Sequence, residues 1–348
     1  MTIILGLDLG KFKSLACLYD PQTTAARFTT VHTDPADLRK LLEAERPALV
    51  VFETCTVAGW VADLCDELKL PYAVANPMHE AWSWRKVRRK TDRDDALKLA
   101  RMAALGELPT VPMPTRAARQ YRALVQYRDR LVGRRTAAQN RIRALAQRHG
   151  ILLPVGHRAW TKAGLELIAS LARPLADCGP EELWRGELAL ELRELERLMA
   201  LVEEAEKRLD ALGAADERVQ LLRTIPGVGP RTAEVVAAYL GDAKRFRTAR
   251  EVSAYAGLVP RQFQSGEMDR KGRITRRGPG LLRKALVEAA WLLLRYNGWA
   301  ARTLQRISKG QKTRRKQALV AVARKLLVRC WGMLKHGTAW DERLAAAG

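Results

Sequence analysis

With 348 residues, 47% of them hydrophobic, the chain is long enough for two or three domains with real cores. Its formal net charge of +23 and pI near 10.3 point to a polyanionic partner, most commonly nucleic acid. No apolar run of about 18 residues occurs, which excludes a helical membrane span. The start, Met-Thr-Ile-Ile-Leu-Gly-Leu-Asp, lacks a basic leader region, so no signal peptide is expected there. Five cysteines, at 17, 55, 65, 178 and 330, form no CxxC pair, and no histidine pair has zinc-ligand spacing. The odd count and apolar neighbours suggest reduced thiols in a cytosol.

In chain order, residues 3–9 form an apolar run that predicts a buried strand, and 12–19 and 26–31 predict two more. Asp34-Pro35 gives a helix cap with proline at the first turn, and that helix should stop before Pro47. Residues 48–53 (Ala-Leu-Val-Val-Phe-Glu) are the clearest strand. A helix at 57–69, a strand at 71–75 and a helix from Asp92 to Leu105 follow. Three strands and then alternating helices and strands predict a mixed α/β sheet with helices on its faces.

Beyond Pro112 and Pro114 the pattern is helical. Leu188, Leu192, Leu195, Met199, Val202 and Leu209 lie at near-heptad spacing, with Glu206 breaking the seam, and predict a coiled coil or helical hairpin. Such an element serves either as an oligomerisation arm or as a helix packed on its own domain. The expected divisions are 1–150, a linker and coiled-coil region at 151–215, and a mostly α C-terminal domain at 216–348.

Four carboxylates stand out. Asp8 and Glu53 each close an apolar strand, where an acidic residue is costly to bury without a partner or a cation. Asp92 and Asp95 lie three apart at a helix start and share a helical face. Asp94 between them is expected to be solvated. Hard oxygen donors without His or Cys suit Mg²⁺ or Mn²⁺, and two such ions clamp the attacking and leaving oxygens of a phosphodiester. Each residue alone has an ordinary reading as a turn or cap residue; only the ordered set is specific. Gly6-Leu-Asp-Leu-Gly10 also resembles the opening of an actin-like ATPase, but the basic charge and missing second phosphate loop argue against that.

The C-terminal region carries two further signals. Ile225-Pro-Gly-Val-Gly-Pro-Arg231 resembles a helix-hairpin-helix turn, in which Gly227 and Gly229 allow backbone N–H groups to meet a phosphate, with Arg231 beside them. Ser265-Gly266 is expected on a loop ringed by Arg261, Arg270, Lys271, Arg273, Arg276 and Arg277, cations that would stabilise phosphate oxygens if the serine attacked. A loop Ser-Gly is ordinarily just a turn. No histidine lies near it in sequence.

Together these residues resemble the DEDD transposases of bacterial insertion sequences, the family named for insertion sequence one hundred and ten, over nearly the whole chain. The resemblance places Asp8, Glu53, Asp92 and Asp95, the last two within Lys90-Thr-Asp-Arg-Asp-Asp-Ala96, on the family's acidic pattern in a RuvC-like (RNase H-type) domain. It places Ser265 on the family's nucleophile; Ser253, in a helical run, fits packing better. It implies a metal-dependent recombinase that cuts and rejoins donor and target DNA, guided by a bridge RNA. It also implies dimers that pair into tetramers, the serine of one subunit completing the carboxylate site of another. Rival readings are a RuvC-like nuclease that resolves Holliday junctions with water, and a non-catalytic nucleic-acid scaffold.

Overall fold

The computed structural model describes residues 2–77, 91–265 and 268–342. The chain divides into two compact units, Met1–Arg119 and Gln120–Gly348.

In the first unit, β1 (Ile4–Asp8), β2 (Lys13–Tyr19) and β3 (Ala26–His32) form an antiparallel meander. After α1 (Pro35–Glu45), β4 (Leu49–Glu53) adds parallel to β1. After α2 (Ala58–Glu67), β5 (Tyr72–Ala75) adds parallel to β4. The strand order is β3-β2-β1-β4-β5, the mixed sheet that the apolar runs predict. Asp34 caps α1 by accepting the N–H groups of Ala36 and Asp37, with Pro35 in the first turn.

Strand alternation sorts the core onto two faces. Leu5, Leu7, Val50, Phe52 and Val74 pack with Leu38 and Leu42 of α1 and Val61 and Cys65 of α2. Ile4, Val51 and Ala75 face the other way, where they meet Ala96, Leu99 and Ala100 of α3 (Asp92–Ala104).

The second unit is helical apart from one hairpin. A long helix, α4 (Arg116–Arg148), begins just before the unit boundary; α5 (Lys162–Leu171) and α6 (Leu183–Ala215) follow. The first compact unit closes at Arg119, and the rest of α4 packs within the second. Ion pairs Arg128–Glu206, Arg141–Glu191 and Arg148–Glu187 descend along α6 as they ascend along α4, so the two helices run antiparallel. Leu131, Ala138, Ile142 and Leu145 of α4 bury against Leu188, Leu195, Leu198, Val202 and Ala205 of α6.

That packing revises the expected seam. Leu188, Leu195, Val202 and Leu209 are buried at a seven-residue spacing, but their companions are Leu198 and Ala205, while Met199 is exposed. Glu206 therefore flanks the seam instead of interrupting it, and Arg128 holds it there.

The remaining core joins α7 (Glu217–Arg223), α8 (Pro230–Leu240), α9 (Ala249–Tyr255), α10 (Gly280–Tyr296), α11 (Gly298–Ser308) and α12 (Arg315–His336). Leu222, Val236, Leu240, Leu286, Leu293, Val322 and Leu326 lie at its centre. Between α9 and α10 stands an antiparallel ribbon of β6 (Pro260–Ser265) and β7 (Met268–Ile274). No helix among the described residues is long and apolar enough to cross a membrane.

Candidate catalytic residues

Leu7 pairs with Phe52 in the parallel β1–β4 register, so the next residues, Asp8 and Glu53, end neighbouring strands side by side. Adjacent strands lie about 4.8 Å apart. Gly6 and Val51 are register partners on the α3 face, and two residues on in each strand Asp8 and Glu53 return to that face. Both are half-buried, and neither is without a partner.

Helix α3 lies directly over this strand end. A Cβ at Gly6 would stand 2.2 Å from the Ala96 carbonyl oxygen and 3.2 Å from the Ala100 Cβ, so only glycine admits the helix so close. The direction of α3 follows from its arginines. Arg101 stacks over Tyr19, the register partner of Ile4, whereas Arg93 stacks over Phe28, level with Cys17 and Gly6. The helix thus runs back along β1, with its acidic first turn toward the carboxyl end where Asp8 lies. Open sheets place ligands beyond the carboxyl ends of parallel strands.

The three aspartates of that turn have different surroundings. Asp94 is exposed but forms the capping box: its carboxylate accepts the Thr91 N–H at 3.1 Å and the Thr91 hydroxyl at 2.7 Å, while Thr91 Oγ1 accepts the Asp94 N–H. It is thus a structural cap and not merely a solvated side chain. Asp92 is exposed, and Asp95 is 7% exposed. Lys90 lies outside the described residues.

By donor type, Asp8, Glu53, Asp92 and Asp95 suit a hard divalent cation. They do not form a closed cage: among the described residues, no three His, Cys, Asp or Glu side chains form a group that could hold a metal ion.

In the second unit, Gly227 takes φ 93° and faces Leu293 of α10, whose Cα would lie 3.3 Å from an added Cβ. That glycine packs the turn between α7 and α8. Gly229 caps α8 ahead of Pro230, and an added Cβ there meets open space. Arg231 contacts Asp210 and, at 3.1 Å, Glu234, so its guanidinium is engaged by two carboxylates. Glu234 itself escaped sequence reasoning. It is 1% exposed, and burial pushes its pKa up to about 7, against the lowering influence of Arg231. Its Oε1 is buried without a hydrogen-bond partner among the described residues. The signal was there: Ala233, Val235, Val236 and Ala237 surround it in sequence.

Ser265 ends β6, with Met268 opposite it across the hairpin, and Gly266 lies outside the described residues. The expected loop is therefore a strand end, in a ribbon whose polar sequence shows no alternation to announce it. Arg261, Arg270 and Arg273 are exposed along the ribbon, Lys271 stands opposite Gln262, and Arg276 and Arg277 are exposed just beyond β7. Arg283 ties the ribbon's base by donating to the carbonyls of Ala256, Arg277 and Gly278 at 3.1, 3.0 and 2.9 Å. Ser253 is buried in α9 and donates to the Ala249 carbonyl at 2.7 Å, in keeping with a packing role.

Comparison with known proteins covers both units. The profile of the IS110-type DEDD transposases matches residues 5–150, and that of the transposase IS116/IS110/IS902 family matches residues 219–306. A probable family 20 transposase of Pseudomonas aeruginosa is 31% identical, over 88% of this chain and 89% of that protein. The transposase for insertion sequence element IS1111A of Coxiella burnetii is 30% identical over 95% of this chain and 89% of its own length. The transposase for insertion sequence element IS1328 of Yersinia enterocolitica is 29% identical over 97% and 98%. An acidic strand-end and helix-start set in one unit, a serine-tipped ribbon in the other, and this breadth of similarity give one answer: the chain belongs to the IS110 family of insertion-sequence transposases, enzymes that cut DNA.

Proposed function

We propose that the chain cuts and rejoins DNA with two sets of its own residues. Asp8, Glu53, Asp92 and Asp95 hold Mg²⁺ or Mn²⁺, and Ser265 is the nucleophile. The observation that carries this reading is the meeting of Asp8 and Glu53 on adjacent strand ends beneath the acidic first turn of α3. Bound divalent ions neutralise phosphate charge and stabilise the transition state.

The Ser265 hydroxyl bonds to phosphorus and gives up its proton, while the sugar oxygen whose bond to phosphorus breaks takes up a proton and leaves as a hydroxyl. A hydroxyl of a second DNA end then takes the phosphate and releases the serine. Arg261, Arg270, Lys271, Arg273, Arg276 and Arg277 hold phosphate oxygens during both steps. The backbone at Gly227 and Gly229 holds a further phosphate, with Arg231 as a brace of that turn. A bridge RNA selects donor and target DNA, a role that a net charge of +23 supports. Copies pair as dimers and tetramers, using the α4–α6 arm, on which Leu190 and Met199 remain exposed. The serine of one copy then serves the carboxylates of another.

Ser265→Ala should give no covalent protein–DNA adduct on a denaturing gel and no strand exchange; normal recombination by that variant rejects the nucleophile. Water-driven cleavage that survives the substitution would instead favour a junction-resolving nuclease. Asp92→Asn should lower cleavage at least about a hundredfold, since a lost metal contact removes several kcal/mol of transition-state stabilisation. Undiminished Mg²⁺-dependent cleavage would remove Asp92 from the site.

A further inference from the structure

At the carboxyl end of β1 the chain turns back into β2. Asp8 pairs with Leu15, and continuing that antiparallel register sets Gly10 opposite Lys13 and leaves Lys11 and Phe12 as a two-residue tip. A Cβ at Gly10 would stand 2.3 Å from the Lys13 carbonyl oxygen, so only glycine closes the tip this tightly. The tip is also tied to the end of β3. The Phe12 carbonyl accepts the Thr33 N–H at 2.9 Å, and the Oγ of the buried Ser14 lies 2.7 Å from Thr33 Oγ1. Two residues of extended chain beyond Asp8 amount to roughly 7 Å, so this tip borders the acidic strand ends.

On this fixed tip Phe12 is 73% exposed. The other described Phe, Tyr and Trp residues of the first unit behave differently: Tyr19, Phe28, Phe52, Trp60 and Tyr72 all pack on its two cores. Lys11 Nζ lies 4.9 Å from the centroid of the Phe12 ring. A single exposed apolar side chain needs no explanation on a loose segment. Here the backbone is held on both sides, and the ring stands where a strand bound at Asp8 and Glu53 must pass. A nucleobase presents a flat apolar face of matching size, with a phosphate next to it for a lysine. In an intact duplex that face is covered by the neighbouring base pairs, so a base reaches the ring only by leaving its stack.

We infer that Phe12 is a wedge that stacks on a base displaced from the helix beside the scissile phosphate, with Lys11 on the adjoining phosphate, so that the chain opens DNA locally where it cuts. The inference rests on Asp8 and Glu53 belonging to the cutting site; it adds the shape that the substrate takes there. Successive bases lie about 3.4 Å apart along a strand, so a tip that far beyond Asp8 meets a base about two steps from the reacting phosphate. Stacking on the ring offsets the cost of unstacking, which is smallest at flexible pyrimidine–purine steps such as TA and CA. Phe12 thereby also biases the choice of cut toward such steps.

The test uses the full chain and duplex DNA from an end of the insertion sequence that encodes it, in the presence of that element's transcripts. In one arm, 2-aminopurine replaces single bases on either side of the mapped cut, and the D92N chain binds the DNA. One flanking position should brighten as its base leaves the stack, and F12A/D92N should reduce that brightening at least about fivefold, the scale of one lost aromatic–base stack. F12Y/D92N should retain it. In the second arm, F12A alone should cut fully paired DNA at least about tenfold more slowly. A mismatched pair at the brightened position should return that variant to within about threefold of wild type, because the base is already unstacked. The ring is exposed, so F12A should melt as the wild-type chain does. Equal brightening with and without Phe12, or a cutting defect that the mismatch does not relieve, would overturn the proposal. Undiminished cutting by D92N would instead count against the carboxylate site, a result separate from the comparison of F12A with its parent.

Discussion

The two units hold their candidate chemical groups in opposite ways. In the first, the acidic residues end strands or begin a helix that are packed on a buried sheet. In the second, Ser265 ends a thin ribbon whose arginines face solvent. A two-stranded ribbon has little stability of its own; here Arg283 and the helices at its base hold it. The contrast teaches that the acidic residues of the first unit are built for fixed placement, as the proposed cation coordination would require. The ribbon that ends at Ser265, by contrast, is held at its base and leaves Arg261 and Arg270 in solvent.

The same contrast extends to buried carboxylates. Asp95 lies in the first turn of a helix, where the helix dipole favours negative charge. Glu234 sits in the interior beside Arg231, with an unsatisfied oxygen.

The largest expected effect tests the rigid half. Gly6→Val should destabilise the first unit by at least about 3 kcal/mol and abolish cleavage, because the side chain would overlap the α3 backbone. A wild-type melting profile for that variant would mean that α3 does not lie on β1, and the gathering of the four carboxylates would fall with it.

Next is Glu234. Its folded-state pKa of about 7 lies above the ordinary value of 4.5, so the folded chain binds a proton that the unfolded chain has already lost between those values. Stability from this group is thus present below pH 4.5 and lost as pH rises toward 7, by up to about 3 kcal/mol. Glu234→Gln should flatten that part of the pH–stability curve, as urea melts at pH 5, 6, 7 and 8 would report. An unchanged slope would show that Glu234 stays ionised throughout, held by Arg231.

The smallest effect separates Asp94 from its neighbours. Asp94→Ala should cost about 1 kcal/mol through loss of the cap. Activity per folded molecule should stay within a few-fold of wild type, against the large loss expected for Asp92→Asn. If Asp94→Ala is as inactive as Asp92→Asn while fully folded, the division of labour in this turn is wrong.

The first unit was readable in its sequence because burial on a strand leaves a plain mark. Leu49-Val-Val-Phe-Glu53 shows both the run and the acidic residue that closes it. Parallel pairing of β1 with β4 then made neighbours of Asp8 and Glu53, an outcome that depends on register and not on local composition. The role of Gly6 was hidden, although a glycine inside an apolar strand is the usual mark of close backbone approach. The ribbon was not legible, since Arg261-Gln-Phe-Gln-Ser265 has no apolar face to bury. The α6 seam differs by one helical position because Leu198 and Met199 both suit the sequence pattern, and only α4 decides between them. Glu234 escaped notice because it stands three residues from Arg231, a spacing that is ordinarily a surface ion pair.

The thiols of the chain have a practical corollary. Burial raises the Cys17 thiol to about 11 and those of Cys65 and Cys330 to about 12, which leaves them poor nucleophiles at neutral pH. Cys55 is exposed just two residues beyond Glu53, and Cys178 is only partly covered. Replacing Cys178 by serine would leave one readily accessible thiol, Cys55, two residues beyond Glu53. A maleimide dye placed there makes the natural chain its own optical reporter of cation and DNA arrival, with no cysteine introduced.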